Sequence, residues 1–214
     1  MGTTNPYLLL GIALLVGAVP ILFGVTTAYL KVSIVLGMLR SGLGGQQVPG
    51  QLVTSAVAVA LTCVIMGPTI EATGGRLAAV DWRAGARDPI GVGSAALRSA
   101  AEPWREFLGR HAGAREVAVL SRRGAAAGDG AEPGLTVLAG AFVLSELKEA
   151  FVMAFVLLVP FVVIDFIVAN ILVGMGMVMV SPAIIALPLK LIVFVAADGW
   201  LVLAEALVRS YGGG

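Results

Sequence analysis

The sequence predicts an all-α, membrane-associated protein in which two long hydrophobic helical hairpins flank a small helical soluble insert. Three observations point there. The 214 residues are 58% hydrophobic and only 13% charged, where a soluble domain carries about 25%, and mean hydropathy is +0.98. The charges are segregated, with residues 71–149 holding ten of the 14 Lys+Arg and ten of the 13 Asp+Glu. The flanking stretches hold apolar runs of the length a membrane helix needs, about 20 residues at 1.5 Å each for a hydrocarbon core of roughly 30 Å.

The same numbers exclude several classes. A net charge of +1 gives no long-range field of the kind nucleic-acid binders use. The single cysteine, Cys63, excludes an internal disulfide and a thiolate zinc cluster, and the single histidine, His111, excludes a multi-histidine metal site. No G-x-x-x-x-G-K-[ST] run is present, so no P-loop nucleotide site is expected. No cofactor and no catalytic residue is predicted, and the chain reads as a non-enzyme.

The first hairpin occupies residues 1–70. Met1–Leu30 and Ser41–Ile70 carry no charge at all, and within them Tyr7–Leu30 and Leu52–Ile70 are candidate spans. A short loop holding Lys31 and Arg40, followed by the glycine- and proline-marked turn Ser41–Gly50, is expected to join them. Tyr7–Leu30 has no basic residue before it and is longer than a signal-peptide core, so it reads as a retained segment. The insert, residues 71–149, shows helical periodicity in Leu97, Ala101, Trp104 and Leu108. Pro103 is expected to open that helix, Trp104 and Phe107 to pack within the insert, and His111 to be a solvated helix end. Residues 122–134 look like a flexible linker.

The second hairpin occupies residues 150–214, with candidate spans Phe151–Val173 and Leu189–Val208. Lys31, Arg40 and Lys190 favour the cytoplasm for both hairpin tips. That places the insert and both termini outside, on the periplasmic side of a bacterial inner membrane.

Asp165 lies in an apolar run with no other charge between Glu149 and Lys190. A carboxylate at bilayer depth costs on the order of 3 kcal/mol, so it must face protein or water and find a partner. Lys190 has the right sign. Asp198 and Glu205, seven residues apart, are expected on one helical face. These charges read as ion pairs that hold an assembly together, or alternatively as an ion relay. If they are pairs, the single substitutions Asp165→Ala and Lys190→Ala disrupt assembly and the charge-swapped double variant partly recovers it. Glu146, Lys148 and Glu149 read as polar contacts where the insert meets the third segment, or as a solvated helix start.

The Met-rich loop expected over 174–188, with Met175, Met177, Val178 and Met179, is punctuated by Gly174, Gly176, Pro182 and Pro188 against a continuous helix yet is almost wholly apolar. Non-helical backbone at membrane depth survives only buried in protein or lining a cavity. Two readings follow. Flexible methionines from several copies meet on an axis as a deformable plug, or the stretch is a tight hairpin turn with Met as gap-filler.

Several long motifs resemble those of the R/P family of type III export-apparatus proteins, SctR-like in injectisomes and FliP-like in flagella. They are Lys31–Gln47, Gly140–Phe151, Pro160–Asp165, Gly176–Pro182, and Leu187–Lys190 leading to Asp198–Trp200, and they run in family order. Departures occur at Val152-Met153-Ala154 and at Val178 and Val180, which interrupt the methionines. The resemblance implies a core component of the type III secretion export gate, more in keeping with the injectisome branch. It further implies five copies in a helical, conical oligomer with export-apparatus subunits of the S/Q, T/R and U/B families. Unfolded secreted proteins would be in transit through it. The gasket would be Met175, Met177, Val178 and Met179, and Asp165 and Lys190 would be assembly ion pairs. Membrane lipid is an expected partner and nucleic acid is not. An alternative from another class is a secondary, ion- or proton-coupled transporter subunit using Asp165, Asp198 and Glu205. A second is a scaffold without a pore.

Overall fold

A computed structural model describes residues 6–44, 50–83, 88–123, 133–177 and 179–212. Among them every long element is a helix and there is no strand. The helices are α1 (Pro6–Thr26), α2 (Tyr29–Gly42), α3 (Gln51–Ala78), α4 (Pro89–His111), α5 (Ala114–Arg123), α6 (Leu135–Gly174), α7 (Pro182–Ala196) and α8 (Gly199–Gly212). By length and composition α3 and α6 are apolar enough to cross a membrane, and the count rises to four if the broken pairs α1/α2 and α7/α8 are each one span. The chain is a membrane protein. At 40 residues, α6 is about 60 Å long, roughly twice what a bilayer core requires.

Several sequence expectations change here. Lys31 and Arg40 lie in helix α2, not in a loop. Pro103 sits inside α4, which instead opens at Pro89 after the Asp88 cap, where the carboxylate accepts from the Gly91 amide at 2.8 Å. The interior side of α4 runs through Ala96, Pro103, Phe107 and Leu108, whereas Leu97 is 74% exposed. The expected stripe was one residue out of phase at its start. Glu146, Lys148 and Glu149 lie within the continuous helix α6 rather than at a helix start. Asp198 precedes α8 instead of sharing a helix with Glu205. Most of the 122–134 linker and part of the 41–50 turn fall outside the described residues, as does Val178.

The chain forms two units, Met1–Leu30 with Thr69–Ser145, and Lys31–Pro68 with Glu146–Gly214. In the first, Phe107 packs on Phe142 with ring centres 5.6 Å apart and on His111 at 4.8 Å. His111 is therefore half-buried against an aromatic ring. The α4–α5 turn is fixed by Ser145, whose hydroxyl accepts from the Gly113 amide at 2.7 Å and donates to Ala141 O at 2.9 Å. A Cβ on Gly113 would collide with that hydroxyl, so glycine is needed there.

In the second unit, α2 buries Val32, Val35, Leu36 and Leu39, and α3 buries Thr54, Ala58, Thr62 and Met66 at four-residue spacing. Gly42 lets α2 approach Leu158 and Phe161 of α6, because a Cβ there would overlap Leu158. Phe161, Phe194 and Trp200 form an aromatic series with centres 6.2 and 5.3 Å apart. The α7–α8 break bends the chain by 63°. It turns on Asp198 at φ 48°, and the Asp198 carbonyl accepts from the Leu201 and Val202 amides to start α8.

Candidate functional site

Three features in the second unit carry polar or deformable groups into an apolar setting. The first is Lys31. Its side chain is fully buried, which an ammonium tolerates only when paired and hydrogen-bonded. It donates to Glu149 Oε2 at 2.7 Å, lies 3.2 Å from Glu146 Oε1, and sits 4.2 Å from the centre of the Tyr211 ring. Ser210 accepts at 3.4 Å, and the Tyr211 hydroxyl donates to the other oxygen of Glu146. One lysine thus ties α2, α6 and α8 together across sequence separations of 118 and 179 residues. Glu146 is 1% exposed and Glu149 53%. Lys148, the third member of the trio, is exposed on α6.

The second feature is Lys190, whose side chain is 5% exposed. Its Nζ donates to Asp165 Oδ2 at 2.7 Å and to Gly42 O at 2.8 Å. The structure therefore brings Asp165 and Lys190 together within one chain. The contact to Gly42 also satisfies a carbonyl left open at the end of α2, as lysines near helix C-termini do. Asp165 keeps 46% of its side chain exposed and faces an open groove of about 610 Å³ shared with Ser41, Ser181 and Pro182.

The third feature is the methionine segment, held by two stop signals. Gly176 at φ 76° ends α6. The Gly176 amide donates to Val173 O at 3.0 Å and the Met177 amide to Leu172 O at 2.9 Å, the paired closing bonds of a Schellman cap. Pro182 then opens α7 in the position where a missing N–H costs nothing. Met175, Met177 and Met179 are 67%, 40% and 96% exposed. Three polarisable side chains are thus presented on irregular backbone at the end of a long apolar helix.

The sequence paired Asp165 with Lys190 but overlooked the Lys31 cluster. The signal was available: Lys31 is the first charge after thirty uncharged residues, the same isolation that singled out Asp165. Among the described residues no group of three or more His, Cys, Asp and Glu side chains is placed to hold a metal.

A profile described as the FliP family matches residues 12–207. The chain is 39% identical over 210 residues to the hypersensitivity response secretion protein HrcR of Ralstonia nicotianae, covering 95% of this chain and 96% of that one. It is 36% identical over 200 residues to the Yop proteins translocation protein R of Yersinia pestis, covering 91% of each. To the flagellar biosynthetic protein FliP of Caulobacter vibrioides it is 35% identical over 208 residues, covering 95% of this chain and 75% of the other.

Proposed function

The chain belongs to the FliP family, and from that membership we propose that it is a non-enzymatic, channel-forming core component of a type III secretion export gate. Relatives named for hypersensitivity response secretion, for translocation of Yop proteins and for flagellar biosynthesis support a part in protein export. The injectisome branch is favoured, since identity is 39% to the secretion relative against 35% to the flagellar one.

In this reading several copies, five by family resemblance, nest around an axis in the bacterial inner membrane. The polar insert lies on the periplasmic side, and subunits of the S/Q, T/R and U/B families complete the gate. The observation that carries the channel reading is the exposed methionine segment, framed by Gly176 and Pro182 at the end of α6. Apolar, flexible side chains on short irregular backbone can close against each other and deform around a passing unfolded chain. Helices alone are too stiff for that. Lys190, donating both to Asp165 and to Gly42 O, holds α2, α6 and α7 in the arrangement that aims the segment, and the Asp165–Lys190 pair so contributes to assembly.

The test is leakage. Met177→Gly with Met179→Gly in the assembled complex should raise passage of ions and small molecules through membranes several-fold, while assembly is retained. A scaffold without a pore predicts no leak, and that outcome would remove the gasket.

A further inference from the structure

The chain has seven methionines, all but Met1 among the described residues, and they fall into two groups. Met66 is 2% exposed, and Met38 and Met153 are half-buried. Met175, Met177 and Met179 are all exposed, Met179 to 96%. The split has a structural cause. Val180 turns inward against the buried cluster of Val168, Leu172 and Ala186, which leaves its neighbour Met179 turned out. On the other side, the Gly176 cap ends α6 and frees Met175 and Met177 from a helix face.

Exposed thioethers have a chemistry that sealing does not use. Hydrogen peroxide transfers one oxygen to a methionine sulfur: an S–O bond forms as the O–O bond breaks. The sulfur is oxidised by two electrons and the rest of the peroxide leaves as water. The product is a polar sulfoxide, whose oxygen accepts hydrogen bonds and brings no donor of its own. Few donors are left nearby. The amides of Met175, Gly176, Met177 and Val180 are already given to the carbonyls of Ile171, Val173, Leu172 and Met177. Ser181 holds the only side-chain donor between residues 174 and 182. One hydroxyl cannot serve three sulfoxides, so water must. Oxidation therefore draws water into a segment that is otherwise apolar.

We propose that Met175, Met177 and Met179 are a modification site for hydrogen peroxide, and that their sulfoxides loosen the seal reversibly. Reversal takes two thiols, which become one disulfide while the sulfoxide oxygen leaves as water, the reaction of methionine sulfoxide reductases. The modification rests on exposure and local chemistry alone, whereas the loosening rests on the gasket reading above. Packing of methionines between copies does not shield the site, because hydrogen peroxide is small and uncharged and passes apolar layers.

Graded hydrogen peroxide on the full chain in detergent, followed by peptide mass spectrometry, reads the oxygen gained at each sulfur. Met179 should oxidise first, Met175 and Met177 next, and Met66 at least several-fold more slowly. Oxidation of Met66 or Met153 as fast as Met179 overturns the site. The assembled complex in vesicles tests the consequence. The same dose should raise ion passage several-fold, and a methionine sulfoxide reductase with dithiothreitol should bring it back. The triple variant Met175→Leu, Met177→Leu, Met179→Leu stays apolar but offers no sulfur. Whatever its resting leak, peroxide should not raise it. An equal peroxide-induced rise in that variant, or no oxygen gained at the three sulfurs in the complex, overturns the proposal. The two readings fail separately. If Met177→Gly with Met179→Gly leaks and fully oxidised methionines do not, the gasket stands and reversible loosening is wrong. If neither leaks, the gasket itself is wrong, and the loosening with it.

Discussion

Lys31 and Lys190 solve the same problem with different reserves. Each is a buried ammonium, but Lys31 is shared between two carboxylates and an aromatic face, whereas Lys190 is shared between one carboxylate and a backbone carbonyl. Removing one partner of a buried pair costs about 3–5 kcal/mol, because the other charge stays buried and uncompensated. Lys31→Met should therefore lower stability by about that amount, through Glu146, which is 1% exposed. Lys31→Met with Glu146→Gln should recover part of it, because no isolated buried charge remains. Thermal unfolding in detergent reads both, and a Lys31→Met variant as stable as the parent would show that Glu146 is solvated. At the second pair the costs should be unequal. Asp165→Asn leaves the buried Lys190 ammonium without a counter-charge, whereas Lys190→Met leaves a half-exposed carboxylate that solvent can reach, so Asp165→Asn should cost more than Lys190→Met. The charge-swapped pair should recover stability only in part, since an aspartate at position 190 cannot donate to the Gly42 carbonyl.

The helix ends carry much of what distinguishes this fold from a set of straight spans. Gly176 adopts φ 76°, where a Cβ costs of order 1 kcal/mol. Gly176→Ala should destabilise the protein by about that much and disturb the methionine segment while leaving the ion pairs intact. Asp198 has a similar backbone at φ 48°, and here the prediction separates two functions. If Asp198 is placed for its backbone, Asp198→Gly should be neutral or slightly stabilising and retain export, because glycine takes that conformation freely. A transporter that uses the carboxylate would be inactivated by the same change, and loss of export at full stability would count against the structural role. Legibility followed the same division. Helix content and the apolar segments were readable because charge segregation and run length are local. The breaks were not. Pro20, Pro68, Pro103, Pro160 and Pro188 all lie inside helices, tolerated by tertiary context, whereas the chain bends at Thr27–Ala28 and Ala197–Asp198. Threonine hydroxyls bonded to Leu22 O and Phe23 O mark the first bend, and the Phe194 ring, which leaves no room for a Cβ at Gly199, shapes the second. In the site, Asp165–Lys190 was readable from two isolated charges 25 residues apart. The Lys31 cluster needs α2, α6 and α8 already folded.

At the scale of the molecule, the apolar surface exceeds what the chain itself can cover. Only 17% of the most apolar stretch of α6 is buried within the chain, and Phe155 and Phe166 are 70% and 69% exposed. Contiguous apolar faces of that kind mark lipid or protein contacts. Lipid alone would satisfy the aliphatic side chains, but it offers nothing to the half-exposed carboxylates of Asp165 and Glu149 on the same helix. A carboxylate next to hydrocarbon is expensive. Sister copies can supply both apolar area and polar partners, which favours a closed ring of subunits over a lipid-solvated monomer. Mass measurement of the detergent-extracted particle tests this directly. Five chains of 21.8 kDa give about 109 kDa before bound partners, and a uniform assembly near that mass is the expected result. Lys190→Met should shift it toward smaller species if the Asp165–Lys190–Gly42 junction sets the subunit shape that closure requires. A stable 21.8 kDa monomer, with Asp165 and Glu149 facing detergent at no cost in unfolding temperature, would show that these faces need no copies of the chain. The methionine segments would then have no axis on which to meet.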